Sequence, residues 1–269
     1  MPDTPTKPVL LTGASGNLGR HLTKALSSQG WMLRLTDIQP FPDALPKSAT
    51  FTKADLNDGM TILRLAEGCG AILHFGGVST EHPFEEVLGP NIRGLYHIYE
   101  AARREKARVV FASSNHSIGF HERTETIDST DPFQPDGYYG LSKAYGELMG
   151  RLYFDKHGVE SVSIRIGSCF PEPTNARALA TWLSYPDLAR LVTRCVLAPK
   201  VDCAVIWGAS NNKRMTWWRK DDRDRIGWTP QDSADPFAAQ LSGKVSSNPV
   251  EERYMGGPYT AIDYTRPRE

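Results

Sequence analysis

The sequence predicts an α/β fold in which a doubly wound, mostly parallel sheet carries helices on both faces, and three observations support that reading. Short apolar runs at residues 9–11, 32–35, 71–75, 109–112 and 162–166 alternate with longer amphipathic stretches. A glycine-rich turn stands between the first run and the first helical pattern. Polar clusters follow the later runs, at the strand ends where such sheets bind their ligands.

The first run is short and wholly apolar, as a strand buried on both faces must be. Gly13-Ala14-Ser15-Gly16-Asn17-Leu18-Gly19 follows it and leads into the helical pattern at 20–28. Gly13, Gly16 and Gly19 suit a backbone that turns tightly, approaches a pyrophosphate and lets the helix pack on the strand. Asn17 and Leu18 share that turn, and the free N–H groups of the helix start suit phosphates. The fold is therefore expected to be Rossmann-type and its ligand a dinucleotide. The second strand ends in Asp37, 18 residues beyond Gly19, where a carboxylate accepts hydrogen bonds from the adenosine ribose and repels a 2′-phosphate. Ile38-Gln39-Pro40 bring no cation after it, so NAD is expected rather than NADP, with Arg34 the basic residue nearest in sequence. Asp55 and Leu56, after a third strand, are placed against the adenine by position.

The strand at 109–112 runs into Ser113-Ser114-Asn115-His116, which reads as a binding loop at a carboxyl strand end. Pro135-Asp136-Gly137 then breaks the chain ahead of a helix expected at 139–154. Tyr139 and Lys143 stand one turn apart on one face of that helix. A free phenol, with a pKa of about 10, is a poor base near neutrality, but an adjacent ammonium and a cationic nicotinamide favour its phenolate. Tyr139 is thus the expected general base, Lys143 the group that lowers its pKa, and Ser114 the hydroxyl that orients the substrate oxygen. Tyr138 precedes it, but only Tyr139 stands four before Lys143. His116 is expected to hydrogen-bond the substrate rather than to act as the base.

Past residue 166 the pattern changes: 171–177 reads as loop, 186–197 as helix, 204–207 as a late strand, and the remainder is rich in Trp, Pro and charge. A single Rossmann-type domain is expected over 1–269. Its NAD-binding core covers about 1–166, and a small C-terminal substrate-binding appendage over about 167–269 completes the pocket.

Basic and acidic residues balance at 31 each, so no net field draws in nucleic acid or an anionic membrane, and a small molecule is the expected partner. Cys69, Cys169, Cys195 and Cys203 form no CxxC pair and have no His at ligand spacing, which argues against a disulfide scaffold and against a metal site. The short polar leader lacks a signal-peptide pattern and no apolar stretch is long enough to span a bilayer, so a cytoplasmic protein with reduced thiols is expected. A homo-oligomer is compatible with all of this.

Together the motifs resemble the extended short-chain dehydrogenase/reductase (NAD-dependent epimerase/dehydratase) superfamily. The resemblance rests on the glycine turn, Leu73-His74-Phe75-Gly76-Gly77, Asn91-Ile92-Arg93-Gly94-Leu95, Phe111-Ala112-Ser113-Ser114, and Tyr139 with Lys143. Within that superfamily the chain resembles the uronate dehydrogenases. The pieces that carry this are Ser113 to His116 with Gly119, Tyr139-Gly140-Leu141-Ser142-Lys143, Arg165-Ile166-Gly167-Ser168-Cys169 with Pro171-Glu172-Pro173, and Val205-Ile206-Trp207-Gly208-Ala209-Ser210. They run from residue 9 to about 230.

The resemblance implies oxidation of a cyclic hexuronic acid at its anomeric carbon to an aldaro-lactone, with NADH formed, in bacterial uronic acid catabolism. It implies that Ser79, Ser114, Asn115, His116, Ser168 and Arg177 hold the sugar acid, with Arg177 on its carboxylate. It further implies that Phe75, Gly76, Gly77, Val78, Ser79, Asn91 and Cys169 line the cofactor. Gly76 and Gly77 stand where the wider superfamily more often has paired alanines, at a contact made by backbone. Galacturonate and glucuronate both fit, since they differ in the orientation of one hydroxyl. A nucleotide-sugar epimerase or dehydratase, and a non-catalytic NAD(P)-binding regulator of the same fold, are the competing readings. The short chain after Ile166 argues against the first, and the joint presence of Tyr139, Lys143 and Ser114 against the second.

Overall fold

Seven strands, β1 (Val9–Thr12), β2 (Leu33–Asp37), β3 (Ala49–Lys53), β4 (Ala71–His74), β5 (Arg108–Ser114), β6 (Ser161–Ile166) and β7 (Cys203–Gly208), form one sheet in the order β3-β2-β1-β4-β5-β6-β7. Every pairing is parallel. The computed structural model describes residues 4–214 and 216–266; residues 1–3, 215 and 267–269 of the expected 1–269 domain lie outside the described residues. β1 and β4 are buried along their whole length, which is why they read as unbroken apolar runs. β3 is an edge strand with no fully buried residue, so the sequence marks it only by its position ahead of Asp55.

Among the strands, β5 departs from its expected boundary. It continues through Ser113 and Ser114, which pair with Arg165 and Ile166 of β6, instead of ending at Ala112. Ladder hydrogen bonds come from the backbone, so polar side chains do not end a strand whose neighbour continues.

The helices that matter for the site are α1 (Asn17–Ser28), α2 (Gly59–Ala66), α3 (Phe84–Val87), α4 (Gly94–Glu105), α5 (Tyr138–His157), α6 (Ala178–Thr181) and α7 (Tyr185–Leu197). β1 divides its side chains between two cores: Val9 and Leu11 pack with Leu22 and Leu26 of α1 and Leu188 and Leu191 of α7, while Leu10 packs with Ile62 of α2 and Ile98 of α4. The sheet is thus sandwiched, with β1 and β4 at the point where successive connections leave in opposite directions. Ligands of such folds bind at that switch point. β7 and α7 complete the main sheet and its α1 face, so the boundary expected near 166 does not separate two packing units. Trp207 of β7 and, beyond that strand, Trp217, Trp218 and Met255 build a smaller core with Ile118, through which the C-terminal segment is tied to the turn after β5. Among the described residues no helix is long and apolar enough to cross a membrane.

α5 carries Tyr139 and Lys143 and lies very close to the sheet. A methyl group at Gly146 would come within 2.3 Å of the Phe111 ring. A buried ion pair fixes its register: Arg165 of β6 donates from Nε and Nη2 to the Glu147 carboxylate, each at 2.9 Å at closest, and Ser113 Oγ donates to Glu147 Oε1 at 2.6 Å. The Arg165 guanidinium is sandwiched between Phe133 and Trp207, at 5.2 and 5.0 Å. Glu147→Ala would leave that guanidinium buried without its counter-charge and is expected to cost about 3–5 kcal/mol of stability. The exposed pair Arg151–Asp155 on the same helix should contribute little, because water screens it. Urea unfolding of Glu147→Ala beside Arg151→Ala measures the contrast, and equal losses would show that the buried pair does not hold α5 on the sheet.

Candidate active site

A cleft of about 940 Å³ opens beyond the carboxyl ends of β1, β2, β4, β5 and β6. At one end β1 passes into Gly13, whose φ of +71° lies in the left-handed region, and where a Cβ would sit 2.4 Å from the Phe75 carbonyl oxygen. At Gly19 a Cβ would sit 2.1 Å from the Gly13 carbonyl oxygen, so α1 packs directly on the turn. α1 begins behind Gly16 with no side-chain cap and no acid in its first turn, which leaves its first N–H groups without a protein side-chain acceptor.

At the end of β2, Asp37 is held by its own neighbours: Oδ2 accepts from Ser15 N at 3.1 Å and Oδ1 from Gln39 N at 3.0 Å. Ile38, Asp55 and Leu56 line the same end, together with Asn17 and Leu18. Arg34 is turned away and donates to the Leu65 and Glu67 carbonyls, so among the described residues Asp37 has no ion-pair partner. An uncapped helix start and a cation-free carboxylate fit the pyrophosphate and the adenosine ribose of NAD.

Midway along the cleft Phe75, Gly76, Gly77, Val78 and Ser79 form one wall and Cys169 part of the other. Burial pushes the Cys169 thiol up. Asn91 does not line the cleft: it is buried behind the wall, where Oδ1 accepts from Val78 N at 2.8 Å and Nδ2 donates to Val78 O and Ser142 Oγ. Its contact is with the backbone that would meet a cofactor.

At the centre stand Ser114, Tyr139 and Lys143. Tyr139 is 8% exposed and faces the cleft, whereas Tyr138 is 50% exposed on the outer face of α5, which resolves the choice between them. Lys143 Nζ donates to the Ala112 carbonyl at 2.8 Å and lies 5.3 Å from the centre of the Tyr139 ring. Burial lowers the Lys143 pKa to about 8. Burial also raises the Tyr139 phenol above its ordinary value, with a hydrogen bond from Ser114 acting against it. Burial is the largest influence on the phenol in the protein without its cofactor, whereas the lowering expected from Lys143 together with a cationic nicotinamide concerns the complex with NAD.

The helix start that carries Tyr139 is capped from outside. Gly137, at the cap position, offers no side chain, and Glu81 fills the role by accepting from Tyr138 N at 2.8 Å and from Tyr139 N at 2.9 Å. Nothing next to the helix in sequence signals this cap, since Glu81 comes from the loop after β4.

The far end gathers Ser79, Asn115, His116, Ser168 and Arg177. Arg177 lies at the start of α6 and is not the solvated loop side chain its sequence context allows. Nε donates to the Met255 carbonyl at 2.7 Å, and burial lowers its pKa to about 10. In the amide orientation that satisfies both neighbours, Asn115 donates to the Ile166 carbonyl at 3.1 Å and accepts from Arg177 Nη2 at 2.6 Å. Among the described residues Arg177 makes no ion pair. His116 Nδ1 is 2.6 Å from Asp136 Oδ2, and Tyr259 stacks on the imidazole with ring centres 3.9 Å apart. Tyr259, Pro258 and Gly256 bring the C-terminal segment into the cleft wall, from a stretch that carries no recognisable motif. No group of His, Cys, Asp and Glu among the described residues could hold a metal ion.

A dinucleotide crevice that ends on a Ser, Tyr and Lys cluster defines the class: a nicotinamide-dependent dehydrogenase on a Rossmann-type sheet. The chain belongs to the NAD dependent epimerase/dehydratase family, whose model matches residues 9–195, and within it to the uronate dehydrogenases. It is 47% identical to the uronate dehydrogenase of Pseudomonas putida over 262 residues, covering 96% of this chain and 97% of that one. The uronate dehydrogenase of Agrobacterium tumefaciens, solved as a mutant in complex with NAD, shares 41% identity with a TM-score of 0.89, over 94% and 97% of the two chains. A glucuronic acid dehydrogenase from Chromohalobacter salexigens matches with a TM-score of 0.90 at 41% identity, over 94% and 96%.

If Asp37 reads the ribose, Asp37→Ala removes both a charge-assisted hydrogen bond and the repulsion of a 2′-phosphate. Such a bond contributes about 1.5–3 kcal/mol, so the preference for NAD over NADP should narrow by roughly tenfold or more. The ratio of kcat/KM for the two cofactors reports it, and an unchanged ratio would move the role to another residue.

Proposed function

We propose that this chain oxidises a cyclic hexuronic acid, galacturonate or glucuronate, at C1 to the aldaro-lactone, with NAD as acceptor. The observation that carries the substrate assignment is Arg177: a guanidinium held at the cleft wall by neutral partners only. A planar fork of this kind suits a carboxylate through two parallel hydrogen bonds, and a half-buried cation with no ion pair among the described residues favours an anionic ligand. The uronate dehydrogenases of Pseudomonas putida and Agrobacterium tumefaciens, similar over nearly the whole chain, support the same substrate class.

The reaction breaks the C1–H and O–H bonds of the hemiacetal and forms the lactone carbonyl. When bound, NAD accepts the hydride, and its cationic ring adds positive charge beside the phenol. Tyr139 takes the hydroxyl proton at its phenolate oxygen. Ser114, beside the phenol in the cleft, is placed to hold the reacting sugar oxygen. Lys143, anchored on the Ala112 carbonyl, supplies part of the positive charge that offsets burial of the phenolate. Asn115 and Ser168 steady Arg177, and with His116 and Ser79 they face the remaining sugar hydroxyls. In this reading residues 1–269 act as a single domain, with about 1–166 holding NAD and about 167–269 completing the sugar end. A cytoplasmic location fits the four free cysteines. Self-association fits the apolar stripe of Tyr138, Leu141, Leu148 and Leu152 exposed along α5.

Tyr139→Phe keeps the ring packing but removes the proton acceptor. It should bind NAD with unchanged Kd while kcat falls by about 10²- to 10⁴-fold, and near-normal turnover would unseat Tyr139 as the base. Arg177→Ala should lower kcat/KM on hexuronates by about 10- to 100-fold, from a charged contact of about 1.5–3 kcal/mol, and leave the weak activity on neutral aldoses nearly unchanged. NADH formation followed across a panel of sugar acids, neutral sugars and nucleotide sugars decides it. An equal loss on acids and neutral sugars would mean that another group holds the carboxylate.

A further inference from the structure

Behind the cleft wall lies a buried carboxylate that the oxidation chemistry does not use. The side chain of Asp136 is 0% exposed. Its one side-chain hydrogen bond is to His116 Nδ1, at 2.6 Å, and its Oδ1 has no partner among the described residues. A carboxylate taken out of water with so little compensation is costly, so the fold must retain it against a penalty. Room for it is made at three separate places. A methyl group at Gly119, Gly140 or Gly256 would come within 2.0, 2.9 or 1.9 Å of its oxygens. These three glycines come from the turn after β5, the first turn of α5 and the C-terminal segment.

The usual structural use of an acid just ahead of a helix is to cap it. Asp136 does not do so, because Glu81 already accepts from the first two N–H groups of α5. The carboxylate points instead at the imidazole, and the two residues are also tied by backbone, Asp136 N donating to His116 O at 3.3 Å. Tyr259 stacks flat on the ring with an interplanar angle of 17°. The stack fixes the tilt of the imidazole, and the carboxylate fixes its rotation.

We propose that Asp136 is a positioning residue that sets the tautomer of His116, holding Nδ1–H on its own carboxylate and leaving the Nε2 lone pair as a hydrogen-bond acceptor for a sugar hydroxyl in the cleft. A carboxylate accepts only, so the shared proton sits on Nδ1, and a neutral imidazole then has an acceptor at its other nitrogen. Labour at the sugar end is thereby divided: Arg177 donates to the carboxylate, and His116 accepts from a hydroxyl. This rests on the assignment of a hexuronate to the cleft.

Asp136→Asn keeps the shape that the three glycines enclose but lets the amide donate to Nδ1. The same exchange at the buried Asp of the Ser-His-Asp triad leaves geometry intact and gives the wrong tautomer. In the full chain labelled with ¹⁵N-histidine, with the His116 signals assigned by their loss in His116→Ala, the wild type should show Nδ1–H and Asp136→Asn should show Nε2–H. Nε2–H in the wild type overturns the proposal, and this reading needs neither turnover nor a folded variant. For kinetics, Asp136→Asn should lower kcat/KM on hexuronates by about 10- to 100-fold with the Kd for NAD unchanged. The double variant with His116→Ala should be no worse than His116→Ala alone, because the pair acts as one unit. Kinetics of Asp136→Asn within twofold of wild type, or losses that multiply in the double variant, overturn it as well. If the wild type turns over no hexuronate, the substrate assignment fails while the tautomer measurement still decides the role of Asp136.

Discussion

Helix α5 lies so close to β5 that a side chain at Gly146 would overlap the Phe111 ring, and the placement of the reacting groups depends on that approach. At this distance the Lys143 stem spans from the helix to the Ala112 carbonyl within β5. The same approach sets Tyr139 and Ser114 together in the cleft. Two devices keep the helix from sliding or lifting. The Arg165, Glu147 and Ser113 cluster fastens its middle to the sheet, and the Glu81 carboxylate fastens its first turn to the loop after β4. A buried ion pair is a costly fastener, but it is a directional one, and direction is what a helix carrying two reacting side chains requires.

Burial also sets the electrostatics of the cleft. The chain as a whole is neutral, yet Lys143 and Arg177 both have lowered pKa values because water has been removed around them. Two desolvated cations at the inner part of the cleft favour negative charge there, whether it belongs to a substrate carboxylate or to a developing phenolate. Asp136 tempers that field from behind the His116 ring. Net charge argued against a polyanionic partner, but the local field that favours a small anion arises only once these residues are packed together.

What the sequence determined is what can be written within one turn or one helix. The glycine turn, Asp37 at the end of its strand and the four-residue step from Tyr139 to Lys143 are local patterns whose geometry follows from strand and helix periodicity. They were sufficient for the fold class and the cofactor. The resemblance carried by the longer motifs extended this to the sugar acid. The serines at 113 and 114 hid the true end of β5, since side-chain polarity says nothing about a backbone ladder.

Only the tertiary structure decided the contacts between distant residues. Glu81 caps a helix 58 positions away, Arg177 is anchored on a carbonyl 78 positions away, and Tyr259 comes from a motif-free segment to lie on His116. It also placed Asn91 behind the cofactor wall and buried the Tyr139 phenol, which raises it in the protein without its cofactor. The reason is the same in each case. Spacing along the chain fixes which side chains share a face, whereas hydrogen-bond partners, burial and the resulting shifts in proton affinity depend on which faces the folded sheet and its helices bring together.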